Sequence, residues 1–247
     1  MADDPGDEPQ RATLSWGRIV ALVVVFAFFG GAVGYFVGSP KDDAPSVDTG
    51  FRFDMITHHE QAVTMSLLAM KTVTNPAVLS FAHEILQFQS YEIGLMEQQL
   101  RDDGKGSAQR PATAMGWMHE TPVDPQKMPG MATQAQLDEL QDETDPIKAA
   151  GLFLELMAHH HVGGIAMAEY AAAHASSPAL RRLAAQMARN QSIEVNEFRS
   201  VAAIQGIPAN LPAQVSVPPP AGEEGDTPST VTTMDMGDMG TMDMSTH

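Results

Sequence analysis

The sequence predicts an all-α protein, in which a four-helix bundle made of two copies of one helical hairpin follows a single transmembrane helix and precedes a disordered tail. Three observations predict this architecture. Residues 51–98 recur at a constant offset of 102, apolar residues in both copies follow a helical period, and an uncharged apolar stretch precedes the first copy. Two hairpins that each have one apolar face are expected to bury those faces against each other around a pseudo-twofold axis.

The N-terminal segment is expected to cross a membrane. Residues 19–38 carry no charge, and about twenty apolar residues are enough for a helix to span the hydrocarbon core. Arg11 and Arg18 precede this stretch and only Lys41 follows it closely. The positive-inside bias therefore places residues 1–18 in the cytoplasm and the rest of the chain on the extracytoplasmic, periplasmic side. The alternative is a cleaved signal peptide, which would export the bundle as well.

Three glycines recur at every fourth position of the predicted span: Gly30, Gly34 and Gly38. Small residues at this spacing let a second helix approach closely. The pattern predicts self-association, or docking on another membrane protein. The alternative is that glycine is simply frequent in membrane helices.

Capping signals predict where the helices of the bundle begin. Three times the sequence places a capping residue directly before a proline, a pair that suits the first helical turn, at Asn75-Pro76, Asp145-Pro146 and Ser177-Pro178. With the apolar period, these signals predict four long helices, at 48–72, 76–102, 146–175 and 178–204. The bundle is therefore expected to span residues 46–204, with hairpins at 48–102 and 146–204.

The remaining segments lack this pattern. The crossover between the hairpins, residues 103–145, is rich in glycine, proline and polar residues. One short helix is expected there from Thr133 to Leu140, because Thr133 and Gln136 have the spacing of a capping box. Residues 205–247 are rich in proline, glycine and acidic residues and end in a run of methionines, so their composition predicts a disordered linker and tail.

Composition excludes several classes of function. The 31 acidic residues outnumber the 14 basic ones and give a net charge of -17, so the chain lacks the basic surface that nucleic-acid binding requires. It contains no cysteine, which excludes disulfides, iron–sulfur ligation and thiolate zinc sites. The 17 methionines and 9 histidines leave thioethers and imidazoles as the available donors for a transition metal.

Both copies of the repeat carry the same motif, M-x-x-H-H-x-x-x-x-x-M. Its residues share about a third of the helix circumference, so a bundle can bring the two copies together. Thioethers are soft ligands that select Cu(I), and imidazole accepts copper or zinc, so the motif predicts a metal site with Cu(I) favoured. The alternative is that the methionines fill the core and the histidines are hydrogen-bonded core residues. The candidate ligands are Met55, His58, His59, Met65, Met157, His160, His161 and Met167.

The tail provides a second candidate metal site. Its methionines are spaced as M-x-M and M-x-x-M with aspartates between them, an arrangement that can surround Cu(I) with thioethers. The alternative is a solvated acidic tail. The residues concerned are Met234, Met236, Met239, Met242, Met244 and His247, and a weaker candidate group lies in the crossover at Met115, Met118, His119, Met128 and Met131.

Polar residues on the companion helices also recur. Gln89 and Glu92 match Gln191 and Glu194 at the repeat offset. Metal-bound imidazoles commonly donate their second N–H to such groups, so these residues are candidates to orient the histidines. A buried polar network without metal is the alternative. His159 has no counterpart in the first copy and is expected to be an accessory ligand or a surface residue.

The segments FDMITHHEQAVTM, QSYEIGLM, MPGMATQAQLDEL and FLELMAHHHVGGIAM resemble the family of domain of unknown function 305, over residues 50–203. The resemblance implies a ferritin-like four-helix bundle exported by bacteria, in a family that includes CopM-like periplasmic proteins implicated in copper binding. It also implies metal binding at the eight motif positions. The chain departs from the pattern at Phe198, where the first copy has Met96, and at Gly163-Gly164, so the two sites need not be equivalent.

Together these features predict a membrane-anchored extracytoplasmic protein that sequesters or delivers Cu(I) and is not an enzyme. Two alternatives stay open. One is an accessory subunit docked on a membrane respiratory complex such as a copper-containing oxidase, which the glycine spacing motivates. The other is a redox enzyme that uses bound copper.

Overall fold

The computed structural model describes residues 45–119 and 121–220, and this part of the chain is helical as predicted. Apart from an isolated bridge between Ala114 and Val123, its regular secondary structure consists of two short 3-10 turns and five α-helices. Each long helix begins and ends within one residue of its predicted boundary. The helices are α1 (Val47–Thr72), α2 (Pro76–Asp102), α3 (Gln134–Asp142), α4 (Pro146–His174) and α5 (Pro178–Gln205).

The predicted caps are present at the helix starts. The side chains of Asn75, Asp145 and Ser177 accept hydrogen bonds from backbone N–H groups of the first turn, and a proline follows each of them. Thr133 and Gln136 form both hydrogen bonds of a capping box at the start of α3. Because such caps satisfy helix N–H groups with side chains close in sequence, the helix starts follow from local sequence alone.

The two hairpins dock through their first helices. Helix α1 packs against α2 within the first hairpin and α4 against α5 within the second, and α1 and α4 join the two. The backbones of α2 and α5 stay further apart, although Phe81 and Phe198 meet across them with ring centroids 4.8 Å apart. This arrangement leaves a cleft between α2 and α5.

The buried apolar residues form two clusters, one towards each end of the bundle. The first cluster includes Ala62 and Met65 of α1 with Leu154 and Met157 of α4. The second cluster includes residues of α1 before position 57 and residues of α4 after position 166. Because α1 and α4 each contribute to both clusters, the stretch of each helix that lies between the clusters forms a separate polar layer at mid-height.

The crossover closes over α1 and α4. Gly163 lets it approach, since a Cβ there would lie 1.9 Å from the carbonyl oxygen of Pro129. Further along, the buried carboxylate of Asp54 accepts hydrogen bonds from the Met115 backbone N–H and the Trp117 indole N–H, each at 2.6 Å. These contacts fix the crossover against the bundle by polar bonds as well as apolar packing.

Residues 206–220 correct the prediction that the chain is disordered from residue 205 onward. This C-terminal strap (residues 206–220) contacts α4, where its Asn210 N–H donates to Glu155 at 2.9 Å, and α5. The Asn196 side chain exchanges hydrogen bonds with the backbone of Val215 at 3.0 and 3.1 Å, Arg199 donates to the Pro212 carbonyl, and Arg189 donates to the Pro218 carbonyl at 2.5 Å. Side chains of α4 and α5 therefore supply the partners that an isolated proline-rich segment lacks.

Several predictions concern residues outside the described ranges. The predicted transmembrane helix at 19–38, with Gly30, Gly34 and Gly38, lies there, and so do the metal-ligand candidates of the tail. Among the helices within residues 45–119 and 121–220, none is long and apolar enough to span a bilayer.

Candidate metal centre

The four histidines of the repeated motif form the polar layer at mid-height of the bundle. All four are almost completely buried, with at most 1% of any of them exposed: His58, His59, His160 and His161. The rings of His58 and His160 lie against each other across the α1–α4 interface, with centroids 3.7 Å apart and planes inclined by 30°. The docking of the two hairpins therefore brings the two copies of the motif together.

One histidine of each copy is held by a glutamate of its own hairpin. His59 Nε2 lies 2.8 Å from Glu92 Oε2, and His161 Nε2 lies 2.6 Å from Glu194 Oε2. The two pairs are related by the repeat offset, and the glutamate side chains are only 14% and 20% exposed. Both glutamates therefore hold histidines of the motif, a contact that agrees with the predicted orienting role and with a buried polar network.

The other two histidines bind backbone carbonyl groups. His58 Nε2 donates to the carbonyl of Pro129 in the crossover at 3.1 Å, and His160 Nε2 donates to the carbonyl of His58 at 2.9 Å. The crossover thus replaces the symmetry-related partner at one of the two positions. The two halves of the layer are not equivalent, and sequence comparison of the copies could not reveal Pro129 as a partner.

The proton positions follow from these partners. Each Nε2 faces an oxygen that accepts, so Nε2 carries a proton in every ring, and the neutral form of such a ring has its lone pair on Nδ1. All four Nδ1 atoms are buried and have no hydrogen-bond partner. The amide oxygens Oε1 of Gln89 and Gln191, which are also acceptors, lack partners as well. The centre of the bundle therefore holds a surplus of electron-pair donors, and these cannot satisfy one another.

Burial keeps the stacked pair uncharged. It lowers the pKa of His58 to about 3, with the neighbouring histidines adding to the shift while the Pro129 carbonyl opposes it. Burial and the nearby imidazoles also hold the pKa of His160 well below its ordinary value. Both rings are thus neutral at physiological pH, the form in which imidazole binds a metal ion.

The four methionines of the motif are fully buried and lie on both sides of the histidine layer. Met65 and Met157 belong to the first apolar cluster, and Met55 and Met167 belong to the second. The second cluster also contains buried Met115 and Met128 of the crossover together with buried Met96 and Met187 of the helices, and the more exposed Met118 and Met131 pack against it. Thioether sulfurs are therefore more numerous on that side.

The glycine pair after the third histidine contributes to the asymmetry. Gly163 admits the Pro129 carbonyl, as described above. A Cβ on Gly164 would lie 2.4 Å from Gln191 Oε1 and 3.2 Å from His58 Cε1. Phe198, which replaces a methionine of the first copy, places its ring 5.7 Å from that of His161. These residues distinguish the surroundings of the two motif copies.

The remaining histidines of the described residues lie at the surface. His159 is exposed and bonds the Asn210 carbonyl of the strap at 3.3 Å, so of its two predicted roles the structure shows the surface one. His83 and His174 are exposed and bond carbonyl groups of their own helices. His119 of the crossover is exposed too.

The donors of the layer fit a soft cation. Within residues 45–119 and 121–220, no three His, Asp or Glu side chains are grouped so that they could hold one ion. A site in the layer would therefore combine imidazole nitrogen with thioether sulfur. Neutral nitrogen and sulfur donors in a buried setting suit soft ions such as Cu(I) better than hard ions, which prefer charged oxygen ligands.

Comparison with known proteins identifies the family. No curated protein matches the chain. A solved structure of a putative secreted DUF305 protein from Streptomyces coelicolor is 31% identical, covers 67% of this chain and 97% of its own, and has a TM-score of 0.60. A DUF305 fragment from Deinococcus radiodurans is 26% identical, covers 65% and 98%, and has a TM-score of 0.55.

A third structure, CopM in the Cu(I)-bound form, is 22% identical, covers 64% of this chain and 96% of its own, and has a TM-score of 0.49. A likeness at that level carries no functional information. The family model described as a domain of unknown function (DUF305) matches residues 48–202, which is well over half of the chain. The chain therefore belongs to the DUF305 family.

Proposed function

We propose that the histidine layer binds copper, preferentially as Cu(I), and that the protein sequesters or delivers this metal. The observation that carries the proposal is the set of four buried Nδ1 atoms without partners. Buried polar side-chain atoms are nearly always hydrogen-bonded. Four orphaned acceptors in one layer therefore favour a cation as their missing partner.

The arrangement around each ring supports the same conclusion. A metal-bound imidazole usually donates its second N–H to a carboxylate or a carbonyl, which fixes the tautomer and the ring orientation. Each of the four histidines has such a bond through Nε2 and keeps Nδ1 free. A histidine with a purely structural role would be expected to use both ring nitrogens.

The ligand types favour copper over other metals. Met55, Met65, Met157 and Met167 offer uncharged sulfur on both sides of the imidazoles, and thioethers select Cu(I) among biological cations. A structural zinc site takes a closed set of four nitrogen, sulfur or carboxylate ligands, with the sulfur supplied as thiolate, which this chain lacks.

The proposal places this binding at a membrane. Residues 19–38 would anchor the chain, the bundle would lie on the extracytoplasmic side, and the tail methionines would collect metal near it. The protein would act by binding and transfer, without catalysis. In exported protein whose tail methionines are all replaced by serine, the Cu(I) equivalents bound by the bundle should remain. The Cu(I) equivalents bound by the tail should be lost.

The experiment is an anaerobic Cu(I) titration of the full chain against the chromogenic chelator bicinchoninate. The layer variant replaces His58, His59, His160 and His161 by glutamine. The matched control replaces the exposed His83, His159 and His174 in the same way. We expect the layer variant to lose the tightest class of bound Cu(I) and the control to keep it. A folded layer variant with unchanged stoichiometry and affinity would refute the proposal.

A further inference from the structure

The cleft between α2 and α5 lies beside the histidine layer. It has a volume of about 230 Å³, and four carboxylates line it, two from each helix: Glu84, Glu92, Glu194 and Glu197. Its lining contains no lysine, arginine or histidine. We name it the acidic cleft, and its one-sided charge distinguishes it from the mixed surface of an ordinary helix pair.

The carboxylates are close enough to affect one another. Burial raises the pKa of Glu197, and the negative charges of Glu194 and Glu84 raise it further. Like charges converge there from both helices. A concave surface lined by one sign of charge concentrates counter-ions and speeds their association. The acidic cleft therefore attracts cations from solution.

The floor of the cleft is connected to the imidazoles. Glu92 and Glu194 line the cleft and also accept the N–H groups of His59 and His161. Each of these carboxylates thus has one side towards solvent and the other towards a buried ring.

Two glutamines complete the floor. Gln89 and Gln191 line the cleft, yet each is only 4% exposed and has an amide oxygen without a partner. The oxygen of Gln191 reaches inward, since a Cβ on Gly164 would touch both that oxygen and the ring of His58. Two unpaired amide oxygens therefore lie at the floor of the cleft, and that of Gln191 is next to the histidine layer.

We propose that the acidic cleft is a binding site for a hydrated metal cation, from which the metal passes between Gln89 and Gln191 to the histidine layer. The passage, but not the cleft site itself, rests on the proposed function. Since no three carboxylates of the described residues are placed to enclose an ion, the cation keeps its water while it is in the cleft. Only the imidazoles and thioethers inside replace that water.

Binding in the cleft is tested with Mn(II), a hydrated cation that prefers oxygen ligands. Free and bound Mn(II) are measured by electron paramagnetic resonance with the full chain. The cleft variant is Glu84→Gln with Glu197→Gln, neither of which contacts a histidine of the layer. The matched control is Glu139→Gln with Asp142→Asn, two exposed residues of α3 that give the same change in net charge.

We expect the cleft variant to lose one Mn(II) equivalent that the control retains. Equal Mn(II) binding by the two variants would overturn the cleft site. This result does not depend on Cu(I), so it is separate from the test of the proposed function. If the histidine layer binds no Cu(I) while the cleft binds Mn(II), the proposed function and the passage fail and the cleft site stands.

Passage to the layer is tested by the rate of loading. In a Trp16→Phe background, Trp117 is the sole tryptophan, and it lies in the same cluster as Met55 and Met167. Stopped-flow quenching of its fluorescence by Cu(I) follows arrival of the metal. We expect Cu(I) to load about tenfold more slowly in the cleft variant, with unchanged final stoichiometry, and we expect the control to load within twofold of the wild-type rate.

A second change adds a positive charge to the cleft. Adding Asn190→Lys to the cleft variant should make loading slower than in the cleft variant alone. Equal rates for cleft variant and control would overturn the passage.

Discussion

The imidazole ring of His58 lies against that of His160, with centroids 3.7 Å apart, although 102 residues separate them in the chain. Both rings are almost completely buried, and other imidazoles lie close to each of them, so a positive charge on either ring is unfavourable. The folded protein without metal therefore requires both rings to stay neutral.

Stability without metal should depend on pH through this pair. The pKa of His58 is about 3 in the folded protein and 6.5 in the unfolded chain, so between these values the unfolded chain binds the additional proton. Stability should be greatest above pH 6.5 and should fall as the pH drops towards 3, by about 1.4 kcal/mol per pH unit for each such histidine. Urea unfolding at several pH values measures this slope. In a His58→Gln variant, the slope of unfolding free energy against pH should be smaller by the contribution of His58. Equal slopes in both proteins would contradict the prediction.

Replacing the motif methionines by leucine should separate binding from packing. The change at Met55, Met65, Met157 and Met167 conserves volume, so each substitution should cost less than about 1.5 kcal/mol of stability. We expect affinity for Cu(I) to fall at least tenfold, as the thioethers are lost, while the fourfold variant stays folded and still unfolds cooperatively on heating. Met70→Leu, outside the motif, is the control. Wild-type Cu(I) affinity in the fourfold variant would show that these methionines are only core residues.

The glutamates that hold His59 and His161 should tune the affinity. Removing the acceptor with Glu92→Leu and Glu194→Leu should lower Cu(I) affinity about 10-fold to 100-fold, because the ring orientation and basicity are lost. Glutamine at both positions keeps an acceptor oxygen and should have a smaller effect. Competition titration ranks the Cu(I) affinities of wild type, the glutamine variant and the leucine variant. A leucine variant with wild-type affinity would argue against the role of these residues.

Gly163 should be intolerant of a side chain. The Pro129 carbonyl occupies the space that a Cβ would fill, so Gly163→Ala should destabilise the protein by about 1–3 kcal/mol through overpacking. Gly94 lies in the middle of α2, and apart from the adjoining part of its own helix no atom lies within 4 Å of its Cβ position, so Gly94→Ala should instead stabilise by about 0.5–1 kcal/mol. Chemical denaturation of both variants measures the change in the free energy of unfolding, which should have opposite signs in the two.

Sequence reasoning predicted the parts of the fold that depend on local signals. Asn75, Thr133, Asp145 and Ser177 cap helices close to where the pattern placed them, because a cap needs only a residue and its immediate successors. The repeat also predicted which side chains face the layer, since an apolar period fixes the buried face of a helix.

Other features depend on contacts between distant segments. The bond from His58 to the Pro129 carbonyl joins residues 71 apart, and no residue type marks a backbone carbonyl as a partner. The strap is ordered by Asn196 and Arg199, whereas its own composition resembles that of a disordered linker. The acidic cleft exists because the backbones of α2 and α5 are not closely packed, which the sequences of the separate helices do not specify.

Docking of α1 against α4 has a consequence for assembly. Each hairpin carries only half of the histidine layer, so neither can form the complete set of donors by itself. A copper ion held between the two halves would act as a cross-link, and its binding free energy would add to the association of the hairpins. Metal supply would then determine how firmly the two halves of the molecule stay together, and the bundle would report metal availability through its own resistance to unfolding.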